Sequence, residues 1–190
     1  MIAETDALLD RFCVRAEKLG VKIHRSAAEP DAVAAAVVEA LRAEGVTSAM
    51  VAFNVGGERE AIVAAAEAAG VQVVPGETPA AAEPIEAGVT RAAFAVAETG
   101  SIGVVGNELQ PRVATMLPPV HVALVDRATL HPSLDEAGAH LERLMAPGEG
   151  SVRYATLVTG PSRTADVEKT LAVGVHGPRV LHLVLIDSGQ

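Results

Sequence analysis

A chain of 190 residues, 49% of them hydrophobic, can bury one substantial core and is too apolar to stay disordered. Its net charge of −9, from 15 basic and 24 acidic residues, argues against a nucleic-acid-binding role, because no basic patch interleaved with aromatics offsets that sign. One cysteine, Cys13, excludes an internal disulfide and the four thiolates an iron–sulfur cluster normally needs.

With no Trp, one Tyr and three Phe, the core has to be assembled from Ala and Val, which favours Ala-rich helices packed close to Val-rich strands. Leu8, Leu9, Phe12, Ala16 and Leu19 recur at spacings of three and four and predict a helix from Glu4 to Leu19, ended by Gly20. Cys13 lies on that pattern and reads as a small buried residue. A short strand is expected over Val21–His24. Pro30 then opens a helix to Glu44, with Val33, Val37, Val38 and Leu41 as its apolar stripe. Val46–Phe53 reads as a buried strand, Glu58–Ala69 as a second Ala-rich helix, and Val71–Val74 as another strand. This succession is the pattern of a parallel sheet with helical crossovers.

Beyond Pro75 the prolines at 79 and 84 and Gly88 interrupt a segment expected to be helical only in short pieces. Ala93–Ala97 and Ile102–Val105 flank the turn Glu98-Thr99-Gly100-Ser101, a gap too short for a crossover, so an antiparallel hairpin and hence a mixed sheet are predicted. A short helix over Gln110–Met116 leads past Pro118 and Pro119 into the strand Val120–Val125. Leu134–Leu144 is a further helix, and the strands Tyr154–Val158 and Val180–Ile186 complete the sheet. Between those two strands a short helix is expected from Thr164 to about Leu171. No internal repeat or linker appears, so residues 1–190 read as one domain. The first residues lack the basic and apolar regions of a signal peptide, and no apolar run reaches membrane-spanning length, which points to a soluble, cytoplasmic protein.

Familiar catalytic motifs are missing: Gly100, Gly103 and Gly106 have the wrong spacing for a dinucleotide loop, and the six histidines show no i, i+4 pair for a helical zinc site. Three segments can carry chemistry. In Gly160-Pro161-Ser162-Arg163-Thr164, Thr164 can cap a helix whose free N–H groups, with the Arg163 guanidinium, would favour an anion. Asp166 and Glu168 would oppose that ligand, and an ordinary capped turn explains the residues equally well. In Gly174-Val175-His176-Gly177-Pro178, two glycines and a proline fix a tight loop, in which His176 is either a proton-transfer group or a structural residue. At the hairpin turn, Glu98 is either a turn residue or, if partly buried, a carboxylate with a raised pKa able to act as a general base. Arg112, in Gln110-Pro111-Arg112, is a further cation with the same ambiguity.

The stretches Ala97–Ser101, Gln110–Arg112 with Leu117–His121, Thr159–Glu168 and Gly174–Pro178 resemble those of the LutC (YkgG) type of lactate-utilization (LUD) domain, formerly DUF162. The likeness is strongest from about Phe94 onward, and it covers the earlier half only in helix–strand texture. It implies an α/β fold: a three-layer α/β/α sandwich with a Rossmann-like mixed sheet, of the kind shared by sugar-phosphate isomerases, CoA transferases and formyltetrahydrofolate cyclo-ligases. It also implies membership of a complex that oxidises L-lactate to pyruvate. In that system the iron–sulfur clusters sit on LutA-like and LutB-like partner subunits, and this chain, with Cys13 alone, resembles the cluster-free subunit and needs no cofactor of its own.

Three functions follow. The first is an accessory or substrate-binding subunit of that complex, not catalytic alone. The second is an independent enzyme acting on a phosphorylated or acyl small molecule, with Glu98 as base or nucleophile. The third is a purely structural scaffold. A ligand site, on these grounds, would be a small-anion site drawing on Glu98, Thr99, Gly100, Arg112, Gly160, Ser162, Arg163, Thr164, His176 and Gly177, with no metal.

Overall fold

The fold is given by a computed structural model, which describes residues 2–53, 57–74, 85–148, 150–165, 171–173 and 177–188; for 2–5, 163–165 and 171–173 it describes the backbone alone. In chain order the elements are α1 (Ile2–Lys18), β1 (Lys22–Ala27), α2 (Pro30–Ala43), β2 (Ser48–Val51), α3 (Glu58–Ala68), β3 (Gln72–Val73), β4 (Ala87–Arg91), β5 (Phe94–Val96), β6 (Ser101–Gly106), α4 (Leu109–Met116), β7 (Val120–Asp126), β8 (Leu130–His131), α5 (Leu134–Met145), β9 (Tyr154–Val158), β10 (Arg163–Ala165), β11 (Leu171–Val173) and β12 (Val180–Asp187).

Six strands form an all-parallel sheet in the order β1-β12-β7-β4-β2-β3. Parallel strands need covering on both faces, and their side chains read as continuous apolar runs for that reason. On one face α2 and α3 press Val33, Ala34, Val37, Ala40, Leu41, Ile62 and Ala66 onto Ala49, Val89, Val122, Leu124 and Val184. Ala34, Ala36 and Ala40 let the α2 backbone approach the sheet closely, as the Ala-rich composition predicts. The other face is covered by α1, by α4 and by a second sheet, with Phe12, Ala16, Ala95, Ile102 and Val104 against Ala123, Val125, Leu183 and Leu185. This is the expected α/β fold with helices on both faces of a Rossmann-like sheet.

The second sheet corrects the expectation that the hairpin and β9 join the main one. Its order is β8-β5-β6-β9, with β5–β6 and β6–β9 antiparallel and β5–β8 parallel, so the mixed pairing falls here. The chain changes sheets over one peptide: Ala92 N–H donates to Leu124 O of β7, and Ala93 N–H donates to Gly103 O of β6. Gly103 lies opposite Phe94, and a Cβ there would be 2.2 Å from the phenyl ring. α5 covers the outer side of this sheet through Ala137 and Leu141 against Phe94, Val96 and Val105.

Two further expectations need correction. β4 is a central strand, although Gly88 and the prolines before it suggested short helical pieces; residues 75–84 of that segment lie outside the described residues. Gly88 is there because α4 crosses directly over it: a Cβ would stand 2.0 Å from Ala114 O. Of the helix expected from Thr164 to about Leu171, residues 166–170 lie outside the described residues; its flanks form an antiparallel pair, β10 with β11, in the register Arg163↔Val173 and Ala165↔Leu171. Thr164 is therefore a strand residue and not a helix cap.

Candidate functional site

Three of the predicted segments meet at the amino-terminal edge of the parallel sheet. The turn after β5 is closed by Gly100, at φ +70°, whose N–H donates to Val96 O at 2.9 Å. A Cβ on Gly100 would lie 2.6 Å from Ala16 N, so this turn rests directly on the backbone of α1. Ser101 then begins β6 fully buried, and its Oγ is 2.8 Å from both Thr99 Oγ1 and Thr159 Oγ1. Antiparallel pairing places Ile102 opposite Val158, which is why residues 58 apart in sequence share this hydroxyl chain. Gly160, at φ +81°, packs on Leu19 at the end of α1. Ser162 N–H donates to Pro178 O at 2.9 Å, and Gly177 faces the Ser162 side chain. Arg179 N–H donates to Pro119 O, which ties this cluster to the start of β7.

Thr99, Gly100, Gly160, Ser162 and Gly177 are thus brought together, with Ser101 and Thr159 as members the motif reading passed over. The backbone of Arg163 and Thr164 continues from Ser162 into β10, and His176 lies outside the described residues. Glu98 does not point into the hydroxyl chain: it is exposed, and its Oε2 accepts a hydrogen bond from Leu134 N–H at 3.1 Å. That places its charge at the amino terminus of α5, beside Ser133, whose Oγ accepts from Glu136 N–H. The partial burial on which the general-base reading depended is absent. Arg112 stands elsewhere, its guanidinium 4.5 Å from the Tyr154 ring centroid at the far end of β9. The five residue steps from Tyr154 to Thr159 span roughly 17 Å of extended chain. The cluster follows the carboxyl end of β9, but with respect to the parallel sheet it occupies the amino edge and not the carboxyl edge expected of α/β ligand sites.

The carboxyl edge carries a different set, invisible in the sequence because its members are far apart. Arg91, ending β4, is ion-paired with Glu58 at the start of α3 and lies 3.6 Å from Asp126 at the end of β7. Asp126 also accepts from Ser188 Oγ at 2.6 Å and from Ala128 N–H at 2.8 Å. Arg127 bridges Asp6 and Asp187, which raises its pKa, chiefly through the Asp6 hydrogen bond.

Two histidines are fully buried in the sheet. His121 on β7 has Nε2 2.8 Å from Thr90 Oγ1 and no partner for Nδ1 among the described residues, and burial pushes its pKa down to about 4. His182 on β12 contacts Glu44 through Nε2 at 3.2 Å and His24 through Nδ1 at 2.9 Å. Burial lowers its pKa, and the Glu44 hydrogen bond opposes that shift. Burial alone would raise the Glu44 carboxyl, but hydrogen bonds from Lys22 and His182 hold it below the ordinary carboxylate range. Among the described residues no group of three or more His, Cys, Asp or Glu is placed to hold a metal ion, and no helix is long and apolar enough to cross a membrane.

Taken together, a parallel α/β sheet with a second, mixed sheet on one face and glycine-braced turns at its amino edge define a class. A DUF162 family protein from Deinococcus radiodurans shares that fold, with a TM-score of 0.68 over 96% of this chain and 98% of its own, at 22% identity. The profile of the LUD domain family matches residues 9–186, and the chain belongs to that family. It is similar to lactate utilization protein C of Bacillus licheniformis, 34% identical over 107 residues, which is 56% of this chain and 45% of that protein. It is also similar to lactate utilization protein B of Shouchella clausii, 36% identical over 107 residues, or 55% of this chain and 21% of that protein. The matched part is less than half the length of these relatives.

Proposed function

We propose that this chain serves lactate utilization as a cluster-free accessory or substrate-binding subunit of a complex that oxidises L-lactate to pyruvate. The observation that carries this reading is its similarity to several lactate utilization C proteins at 30–34% identity. The chemistry of the amino-edge cluster supports binding more than catalysis. Thr99 and Thr159, held through the buried Ser101, offer hydroxyls and the adjoining glycine turns offer close backbone approach, which suits a small hydroxy acid or its carboxylate. The acidic residue of this turn, Glu98, is engaged with the start of α5, outside that chain of hydroxyls.

Oxidation of lactate to pyruvate releases two electrons and two protons. On this reading the electrons pass to iron–sulfur clusters of LutA-like and LutB-like partners, and this chain positions or completes the substrate site. The test is L-lactate oxidation with an artificial electron acceptor, comparing the purified chain, the two cluster-bearing partners, and all three together. Activity in the full mixture that falls when this chain is omitted is the expected result. Equal activity without it would overturn the assignment.

A further inference from the structure

The outer face of α4 exposes large apolar side chains. Leu109, Met116 and Leu117 are 48%, 53% and 69% exposed. From Leu109, Arg112 lies three and Met116 seven residues on, which puts all three on one helical face. That face is braced: the Arg112 guanidinium stacks over Tyr154, whose hydroxyl donates to Met116 Sδ at 3.8 Å. Arg, Tyr and Met are the types enriched where protein partners bind most tightly, and here the ion and ring are held in place before any partner arrives.

The three exposed side chains offer on the order of 350 Å² of apolar surface, as large as the biggest patch on a typical monomer. A standard interface takes about 800 Å² from each partner, a little over half of it apolar, so this patch supplies most of the apolar part. Charge decides the occupant. Neither Arg112 nor Arg179, beside Pro119 at the rim, has a carboxylate partner among the described residues, in a chain whose net charge is −9. A second copy docking through the same face would gather four arginines into one interface, a like-charge cost that a partner bearing carboxylates avoids.

We infer that the α4 face, centred on Arg112, Met116 and Leu117, docks an apolar segment bordered by carboxylates on a cluster-bearing subunit of the complex; this rests on the subunit reading above. The experiment is titration calorimetry of the purified chain against each purified iron–sulfur partner, for the wild type, Arg112→Glu, Leu117→Asp and, as a control on α5, Met145→Asp. All three sites are solvent-exposed, so circular dichroism should report an unchanged fold. The expected result is binding by the wild type and the control, with affinity at least about 30-fold weaker in both α4 variants. Arg112→Glu should also flatten the salt dependence of binding. Tight binding by both α4 variants would overturn this inference and leave the subunit reading standing. No binding by the wild type to either partner would remove the reading itself. A dimer of the free chain that Leu117→Asp dissolves would show that the face is occupied by a second copy, and would equally overturn the proposal.

Discussion

Replacing Gly100 with Ala separates two costs that the structure assigns to this one position. The residue sits at φ +70°, where an L side chain is strained by about 1–2 kcal/mol. Its Cβ would also stand 2.6 Å from Ala16 N and 2.9 Å from Arg15 C, both backbone atoms of α1 that cannot rotate away. Forcing that contact open adds about 1–3 kcal/mol. The sum is about 2–5 kcal/mol, and for a chain of 190 residues an unfolding entropy near 0.4 kcal/mol/K turns it into a fall in Tm of about 5–12 °C. Gly45→Ala supplies the control, because Gly45 has φ +66° with nothing within 4 Å of the added Cβ. It should show the strain alone, a fall of about 2–5 °C. Calorimetry of both variants at one pH is the assay. Equal losses would refute the claim that the turn is pinned against α1.

Three further outcomes follow from the same structure. Gly88→Ala should cost about 3 kcal/mol or more by urea unfolding, since its Cβ would fall 2.0 Å from Ala114 O, and hydrogen exchange should speed up at the Val113–Thr115 amides as α4 is lifted. Ser101→Ala breaks both links of the buried hydroxyl chain and should cost about 1–2 kcal/mol, while Thr159→Ala, at the exposed end, should cost less. His121 has a folded pKa of about 4 against 6.5 unfolded, so the unfolded chain binds more protons between those values and stability falls as pH drops through that window. The loss attributable to it is about 2 kcal/mol between pH 7 and 5, and His121→Gln should show a correspondingly shallower dependence in urea titrations. An unchanged slope would mean the imidazole is not held neutral in the fold.

Most element positions are legible in the sequence because their signals are local. The Val33, Val37, Leu41 stripe and Pro30 mark α2, and the alternation around the Glu98–Ser101 turn marks the hairpin. β4 is missed because its deciding feature, the passage of α4 over Gly88, lies 26 residues away in the chain. The strand pair β10–β11 is missed for the converse reason: Thr164 followed by acidic residues has the local form of a helix start, whereas the pairing of Arg163–Ala165 with Leu171–Val173 is set by residues at least six positions apart. The motif reading names Thr99, Gly100, Gly160, Ser162 and Gly177 of the amino-edge cluster but neither the roles of Ser101 and Thr159 nor the arrangement. That Glu98 and Arg112 lie apart from Ser162 depends on a second sheet that no periodicity announces. The ion pairs at positions 58, 91 and 126 are similarly silent, since each residue taken alone is an unremarkable surface charge.

The placement of β12 has a consequence for how the chain is made. β1, complete by residue 27, is hydrogen-bonded within the sheet, among the described residues, to β12 alone, and β12 does not begin until residue 180. At ribosomal speeds β1 therefore waits roughly 8 to 30 s for its only neighbour to be synthesised. During that interval β7, too, has one open side, and Val122, Leu124 and Ala123 lack the strand that will cover their edge. Closure of the core is thus a late event that joins strands more than 150 residues apart, and a nascent chain stalled before residue 180 would expose two unpaired strand edges. Such an intermediate is the natural client of a chaperone, and truncation of β12 should yield aggregation rather than a smaller folded domain.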